Sequence, residues 1–531
     1  MYPSQKRKPL ISIAMPQTLL VLVVCAVALC TVLCSDPVVS VEQGRLLGLE
    51  DIKSGRTVHS FLGVPFAAPP VGSLRWEPPQ PPSAWSSIRN AQHFGADCYQ
   101  PPQSSEVKLS EDCLFLNVYA PPVQENKTFP MMMFFYGGSW EFGGSSIPIY
   151  DGDYDVLFTQ DVILVTVNYR LGAFGFLASP QLKEHTQSHT TGNFGILDQQ
   201  AAMRWIQTNG AAFGGDPTRL TIFGESAGAS SVSSHLVIPS SWPLFSAAIM
   251  ESGPPASWTD ISLDEGQRRF LHVCSNLQCS PNTTDWLECL RNKSAKEVQD
   301  ASHGFEAFVR WTPVVDGTLL HDHADILLRQ GKWAKVPVIM GTNLNEGSLF
   351  TGLKPDATLA DYKAYADGRF GPTLAPVVLQ QYPPSLYGNS SFWASADALT
   401  DFTMRCPTRR AASIMAESQN VFIYELRRPL DFVVDLDPNL GVFHGNDIFY
   451  IFRLSLFLNE QETVLSDGMI EAWTTFARQQ VPSRQWSTFR VKGTLLRPDD
   501  THSGDIMAFN VPSQMVRNDT LPRCALWDTF W

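Results

Sequence analysis

At positions 220–229 an apolar run of Leu220, Thr221, Ile222 and Phe223 gives way to Gly224-Glu225-Ser226-Ala227-Gly228-Ala229. One serine between two glycines, where strand character ends and small residues begin, predicts a strand–turn–helix with Ser226 strained at its apex. The glycines let strand and helix pass close on either side. Such an elbow lifts the serine hydroxyl clear of the sheet, and it turns the Ala227 N–H and the helix N-terminus toward charge forming on an attacked carbonyl. The spacing alone arises often by chance, so the rest of the chain must supply its context.

That context is an alternation of strands and helices. Apolar runs at 130–136, 162–167, 220–223, 247–250, 336–340 and 421–424 read as strands buried on both faces. Helical patterns lie between them, at 198–209 (Ala201, Ala202, Trp205 and Ile206 on one face) and at 228–236 after the elbow. The expected fold is α/β with a large, mostly parallel sheet, and its functional groups should sit just past the carboxyl ends of the strands.

A serine hydroxyl is a poor nucleophile until a base takes its proton, and that base needs an acid to fix its tautomer and stabilise the imidazolium. Past the strand at 336–340 comes Glu346, and past the strand at 421–424 comes His444, framed by Gly441 and Gly445. Ser226, Glu346 and His444 therefore form the candidate triad, with a base that titrates near ~6.5 if unperturbed. Gly137-Gly138-Ser139-Trp140 follows the strand at 130–136 and offers backbone N–H groups to an oxyanion; the expected donors are Gly138, Ser139 and Ala227. His235, on the elbow helix, reads as structural. His321 and His323 lack a third ligand in reach, so no metal site is expected.

Composition excludes other classes. The 531 residues contain no linker, charge block or repeat that would divide them, and one large domain is the simplest organisation. A net charge of −13 argues against nucleic-acid binding and against a polybasic membrane patch. Residues 1–34 read as a signal peptide, with Lys6-Arg7-Lys8 before the apolar stretch 19–33, which leaves 35–531 as the mature catalytic domain. The apolar stretch is short for a span of ~20 residues, so an uncleaved anchor is the weaker reading. Sequons at Asn126, Asn282, Asn292, Asn389 and Asn518 and seven remaining cysteines fit a secreted glycoprotein.

The chain resembles the type-B carboxylesterases, a family of the α/β-hydrolase fold that includes cholinesterases, lipases and inactive adhesion relatives. The resemblance rests on Phe61-Leu62-Gly63-Val64-Pro65-Phe66-Ala67-Ala68-Pro69-Pro70, on Ser110-Glu111-Asp112-Cys113-Leu114-Phe115-Leu116-Asn117-Val118, and on Gly192-Asn193-Phe194-Gly195-Ile196-Leu197-Asp198-Gln199. Phe213-Gly214-Gly215-Asp216-Pro217 and Asn343-x-x-Glu346-Gly347 complete it. It implies the same triad, and it pairs Cys98 with Cys113, Cys279 with Cys289 and Cys406 with Cys524, leaving Cys274 free. It also implies buried ion pairs Arg75–Glu111 and Arg170–Asp198.

The chain departs from the family pattern at Ser139, which stands where relatives carry a third glycine, and in the loop 99–112, which has no tryptophan to hold a quaternary ammonium. The expected activity is hydrolysis of small-molecule carboxylic esters without metal or organic cofactor. The alternatives are an interfacial lipase and a non-catalytic adhesion protein on the same fold. An intact triad weighs against the adhesion protein, and a disulfide loop too short and polar to form a flap weighs against the lipase. Phe305, Phe308 and Trp311 are candidate walls of the acyl site.

Overall fold

The computed structural model describes residues 36–529 except 54, 103–106, 151–160, 187, 305–308 and 491–503. The proposed leader, Phe305 and Phe308 thus lie outside the described residues. The body is one eleven-stranded sheet. In chain order its strands are β1 (Leu49–Lys53), β2 (Arg56–Pro65), β3 (Phe115–Ala120), β4 (Phe129–Phe135), β5 (Ile163–Val167), β6 (Gly215–Glu225), β7 (Ala247–Glu251), β8 (Val338–Asn343), β9 (Val421–Leu426), β10 (Gly504–Phe509) and β11 (Gln514–Asp519). Across the sheet they run β11-β10-β9-β8-β7-β6-β4-β5-β3-β2-β1. The seven from β10 to β5 are parallel, while β11 at one edge and β3, β2 and β1 at the other are antiparallel. This is the α/β-hydrolase arrangement.

Every expected strand is present, and β6 is longer than its apolar stretch because it begins at Gly215 and takes up an irregularity between Asp216 and Leu220. The antiparallel rims carry a weaker signal. In β1 the sequence Leu49-Glu50-Asp51-Ile52-Lys53 is mostly exposed, so no buried run announces it. The centre is the opposite: all seven residues of β4 are buried, as strands covered on both faces require. Its three methionines, Met131, Met132 and Met133, are fully buried. Phe134 packs at 5.0 Å from Phe223 and 4.9 Å from Phe452, directly under the elbow strand.

Helix α1 (Phe194–Asn209) packs on β6, and α2 (Ala227–Val237) follows the elbow and packs on β4, β6 and β7. Helix α3 (Leu263–Asn276) is capped by Ser262, and α4 (Glu460–Gln479) carries a reciprocal Asn459–Glu462 cap and packs on β4 and β6. Three disulfides are formed: Cys98–Cys113, Cys279–Cys289 and Cys406–Cys524. The last joins segments 118 residues apart and sits in a small satellite core with Tyr382 and Trp527. Cys274 is unpaired and buried in α3, and that burial pushes its thiol up to about 12.

Two ion pairs anchor loops beside the sheet. Arg170 Nη2 and Nε donate to Asp198 at 2.7 and 2.8 Å, and Arg75 Nε donates to Glu111 at 2.7 Å. Both partners of the first pair are buried. Removing one would strand a charge at a cost of about 3–5 kcal/mol.

Candidate active site

Ser226 sits between β6 and α2 at φ 58°, ψ −122°, a conformation that non-glycine residues rarely adopt. Its surroundings enforce that geometry. A Cβ on Gly224 would lie 2.5 Å from the Phe135 carbonyl oxygen, and one on Gly228 would lie 1.9 Å from the same atom. Only glycines let β4, β6 and α2 converge here. The Ser226 N–H donates to Glu251 O at 2.8 Å, which ties the apex to the end of β7.

Glu346 opens a turn just past β8 and is fully buried. One carboxylate oxygen, Oε1, accepts from the Asn343 N–H at 2.6 Å and from Ser252 Oγ at 2.5 Å. The other, Oε2, meets His444 Nδ1 at 2.6 Å. These bonds fix the carboxylate so that Nδ1 carries the proton and Nε2 is left as the acceptor. Asn345 joins the two loops: its N–H donates to Val442 O at 2.9 Å, and its Oδ1 accepts from the Val442 N–H at 3.0 Å.

His444 Nε2 lies 3.2 Å from Glu225 Oε1, which brings the ring to the elbow one residue from Ser226. The two atoms are not aligned for a hydrogen bond, and Nε2 has no hydrogen-bond partner among the described residues. The Ser226–His444 bond is therefore open in this conformation; such bonds commonly close in the substrate complex. Burial lowers the basicity of His444, but the charges of Glu225 and Glu346 outweigh it and raise the imidazole to about 9. That lies above the ~6.5 of an unperturbed imidazole. Glu225 is itself pushed up to about 8, first by burial and then by Asp447 and Glu346, against the pull of His444.

Opposite the elbow, Gly138, Ser139 and Trp140 have φ of 105°, 57° and 55°. Two successive non-glycine residues in the left-handed region cost roughly 1–2 kcal/mol each. Their surroundings hold them there. The Trp140 indole donates to Ser231 Oγ on α2 at 2.9 Å, and Gln100 bonds Gly143 through both its N–H and its carbonyl, at 2.8 and 2.6 Å. Among the described residues, the N–H groups of Gly138, Ser139 and Ala227 have no protein acceptor. Three unspent donors thus border the serine, the arrangement an oxyanion requires.

With this geometry in view, comparison with known proteins decides the family: the pattern of the Carboxylesterase family matches residues 35–527. The chain belongs to the carboxylesterase family. A cholinesterase of Mus musculus is 33% identical over 548 aligned positions, covering 93% of this chain and 87% of its own. This carboxylesterase-family chain accordingly has the equipment of a hydrolase of carboxylic esters.

Several groups at the site carried no assignment in the sequence reading. Glu225 lies inside the elbow motif, where an acid next to the serine was a visible signal. Ser252 directly follows β7 and Asn343 ends β8, which is where functional groups of such sheets gather. Behind them Glu251 accepts from the Trp473 indole at 2.6 Å and Asp447 from the Tyr424 hydroxyl at 2.8 Å, and burial raises the proton affinity of both acids.

Among the described residues, no histidine other than His444 contacts Glu346 or the elbow acid Glu225. His235 is buried between Ser241 and Gln199 at 2.9 Å each, and burial drops it to about 3, which keeps it neutral. His323 pairs with Asp260, and no cluster among the described residues could hold a metal ion. Trp311 is part of the main core. The five sequon asparagines are all exposed, and no described helix is long and apolar enough to cross a membrane.

Proposed function

We propose that this protein is a secreted, glycosylated serine esterase that cleaves small-molecule carboxylic esters through an acyl-enzyme, with Ser226 as nucleophile. In this reading His444 takes the serine proton and passes it to the leaving alcohol. Glu346 holds the imidazole in the correct tautomer and stabilises its cation. The N–H groups of Gly138, Ser139 and Ala227 receive the oxyanion, and water releases the acyl group. The observation that carries it is the Glu346–His444 pair at 2.6 Å, delivered to a strained serine beside three unspent N–H donors. The leader 1–34 is removed, the domain 35–531 is exported, and the exposed sequons are modified.

The mouse relative's name points to choline esters, yet the loop 99–112 has no tryptophan to meet a quaternary ammonium. Neutral short-chain esters such as butyrates are the proposed substrates. The loop supports this reading over an interfacial lipase, because Gln100 ties it to the Gly143 backbone.

A fluorophosphonate should label one site, Ser226, and Ser226→Ala should lose about 10⁶-fold in kcat while keeping its fold. Labelling elsewhere, or turnover in that variant, would refute the assignment. Butyrate hydrolysis should saturate with no jump in rate at the solubility limit; a sharp rise on emulsified long-chain triglyceride would favour the lipase.

A further inference from the structure

The oxyanion turn has a third anchor that neither the nucleophile nor the base uses. Glu141 directly follows the two strained residues Ser139 and Trp140, and its N–H closes the turn onto Gly138 O at 2.9 Å. Its side chain is nearly buried and faces Arg310 in a two-pronged ion pair, with Oε2 at 2.7 Å from Nη2 and Oε1 accepting from Nε at 3.1 Å. Of the groups that favour its charged form, Arg310 acts most strongly, with His303 behind it.

Arg310 is held in its turn. Its Nη1 donates to His303 Nδ1 at 2.9 Å, and its carbonyl accepts from the Arg269 guanidinium of α3, which is braced by Glu265. His303 O accepts from His272 Nε2, also on α3, at 2.7 Å. A continuous set of polar contacts thus runs from α3 through Arg310 to the last residue of the strained turn.

We propose that Glu141 and Arg310 are positioning residues: their ion pair fixes the oxyanion turn to the segment before Trp311 and so keeps the Gly138 and Ser139 N–H groups aimed at the reacting carbonyl. Neither side chain touches a reacting atom. The geometry gives the reason. Trp140 and Gln100 pin the turn's indole and its exit at Gly143, and the main chain at residue 141 is held by the Glu141 and Phe142 N–H groups on Gly138 O and by the Gly172 N–H on Trp140 O; the ion pair is the side-chain contact that adds to them where left-handed backbone must return to an ordinary course. A planar, bidentate guanidinium–carboxylate pair fixes orientation as well as distance. Burial raises the proton affinity of Glu141 against the pull of Arg310, so its charge depends on that cation.

The inference rests on the esterase reading, so wild-type protein is first assayed for butyrate hydrolysis and fluorophosphonate labelling; failure of both would count against that reading rather than this one. Glu141→Gln, Arg310→Met and the double variant are then compared by kcat, KM, Tm and inhibition by a trifluoromethyl ketone, whose adduct places an oxyanion in the hole. Each single variant should lose about 10- to 100-fold in kcat with KM within about twofold, as small misplacements of donors do. Ketone affinity should fall by the same factor as kcat. The double variant should be no worse than the poorer single one, and Arg310→Lys should recover most of the rate. Wild-type kcat in either single variant, a loss confined to KM, unchanged ketone affinity, or losses that multiply in the double variant would each overturn the proposal. If Glu141→Gln does not fold, the contrast between Arg310→Lys and Arg310→Met decides, and equal kcat in those two would reject it.

Discussion

The elbow and the oxyanion turn face each other across the same reaction centre, and both hold backbone in the left-handed region, yet they do so by different means. At the elbow the constraint is main chain against main chain: Gly224 and Gly228 press on the Phe135 carbonyl, with no room for a methyl group. At the turn the main chain is also close, since a Cβ on Gly138 would lie 2.1 Å from Phe142 O, but side chains from Trp140, Gln100 and Glu141 carry a further share of the constraint. The first kind of constraint is part of the fold and cannot fail without it. The second can be loosened one contact at a time. In the proposed mechanism one centre therefore joins a nucleophile whose placement is bound to folding and an electrophilic cradle whose placement is more adjustable.

The sharpest way to break this contrast is Gly228→Ala. The new methyl would sit 1.9 Å from a backbone oxygen that cannot move aside, so the variant should exceed the ~3 kcal/mol typical of overpacking and lose both folding yield and activity. Melting temperature and recovery of soluble protein check this; a stable, inactive variant would mean that the elbow is separable from the fold.

Gln100→Ala should do the reverse, with Tm nearly unchanged and kcat down about tenfold, because the donors drift while the core stays intact. If its Tm falls as far as that of Gly228→Ala, the two regions are constrained alike.

The smallest effect is a shift in pH dependence. Activity needs neutral His444, so it should fall as pH drops through the base's titration, whose midpoint the charges of Glu225 and Glu346 raise. Glu225→Gln removes one of those charges, and the acid limb of kcat/KM should move toward lower pH by about one unit. A limb that stays in place would show that Glu225 is uncharged across the working range.

What the sequence made legible follows the same division. Main-chain constraints leave glycines at fixed offsets, so Gly224, Gly228 and the turn at Gly137 and Gly138 could be read directly. Glu346 and His444 were legible because strand ends order the chemistry along the chain. The side-chain constraints were not: Glu141 and Arg310 lie 169 positions apart, and no local pattern couples them. The basicity of His444 was hidden for a related reason, since it depends on how far two acids from other strands sit from its ring. The outermost antiparallel strands, β1 and β11, escaped because they are partly exposed and their pattern is diluted by charge.

Cys274 lies in α3 beside a bridge, and the Cys279 N–H donates to its carbonyl at 2.9 Å. While the helix stays packed, its sulfur is a spectator, protonated and out of reach of iodoacetamide. Once α3 leaves the core the same atom regains an ordinary acidity of about 8.5 and stands next to a disulfide it can attack, so that melting passes directly into exchange of partners. Heated protein should then refold poorly unless the thiol is first blocked in denaturant, and the rate at which Cys274 takes up label below the melting point becomes a clock for how often α3 opens.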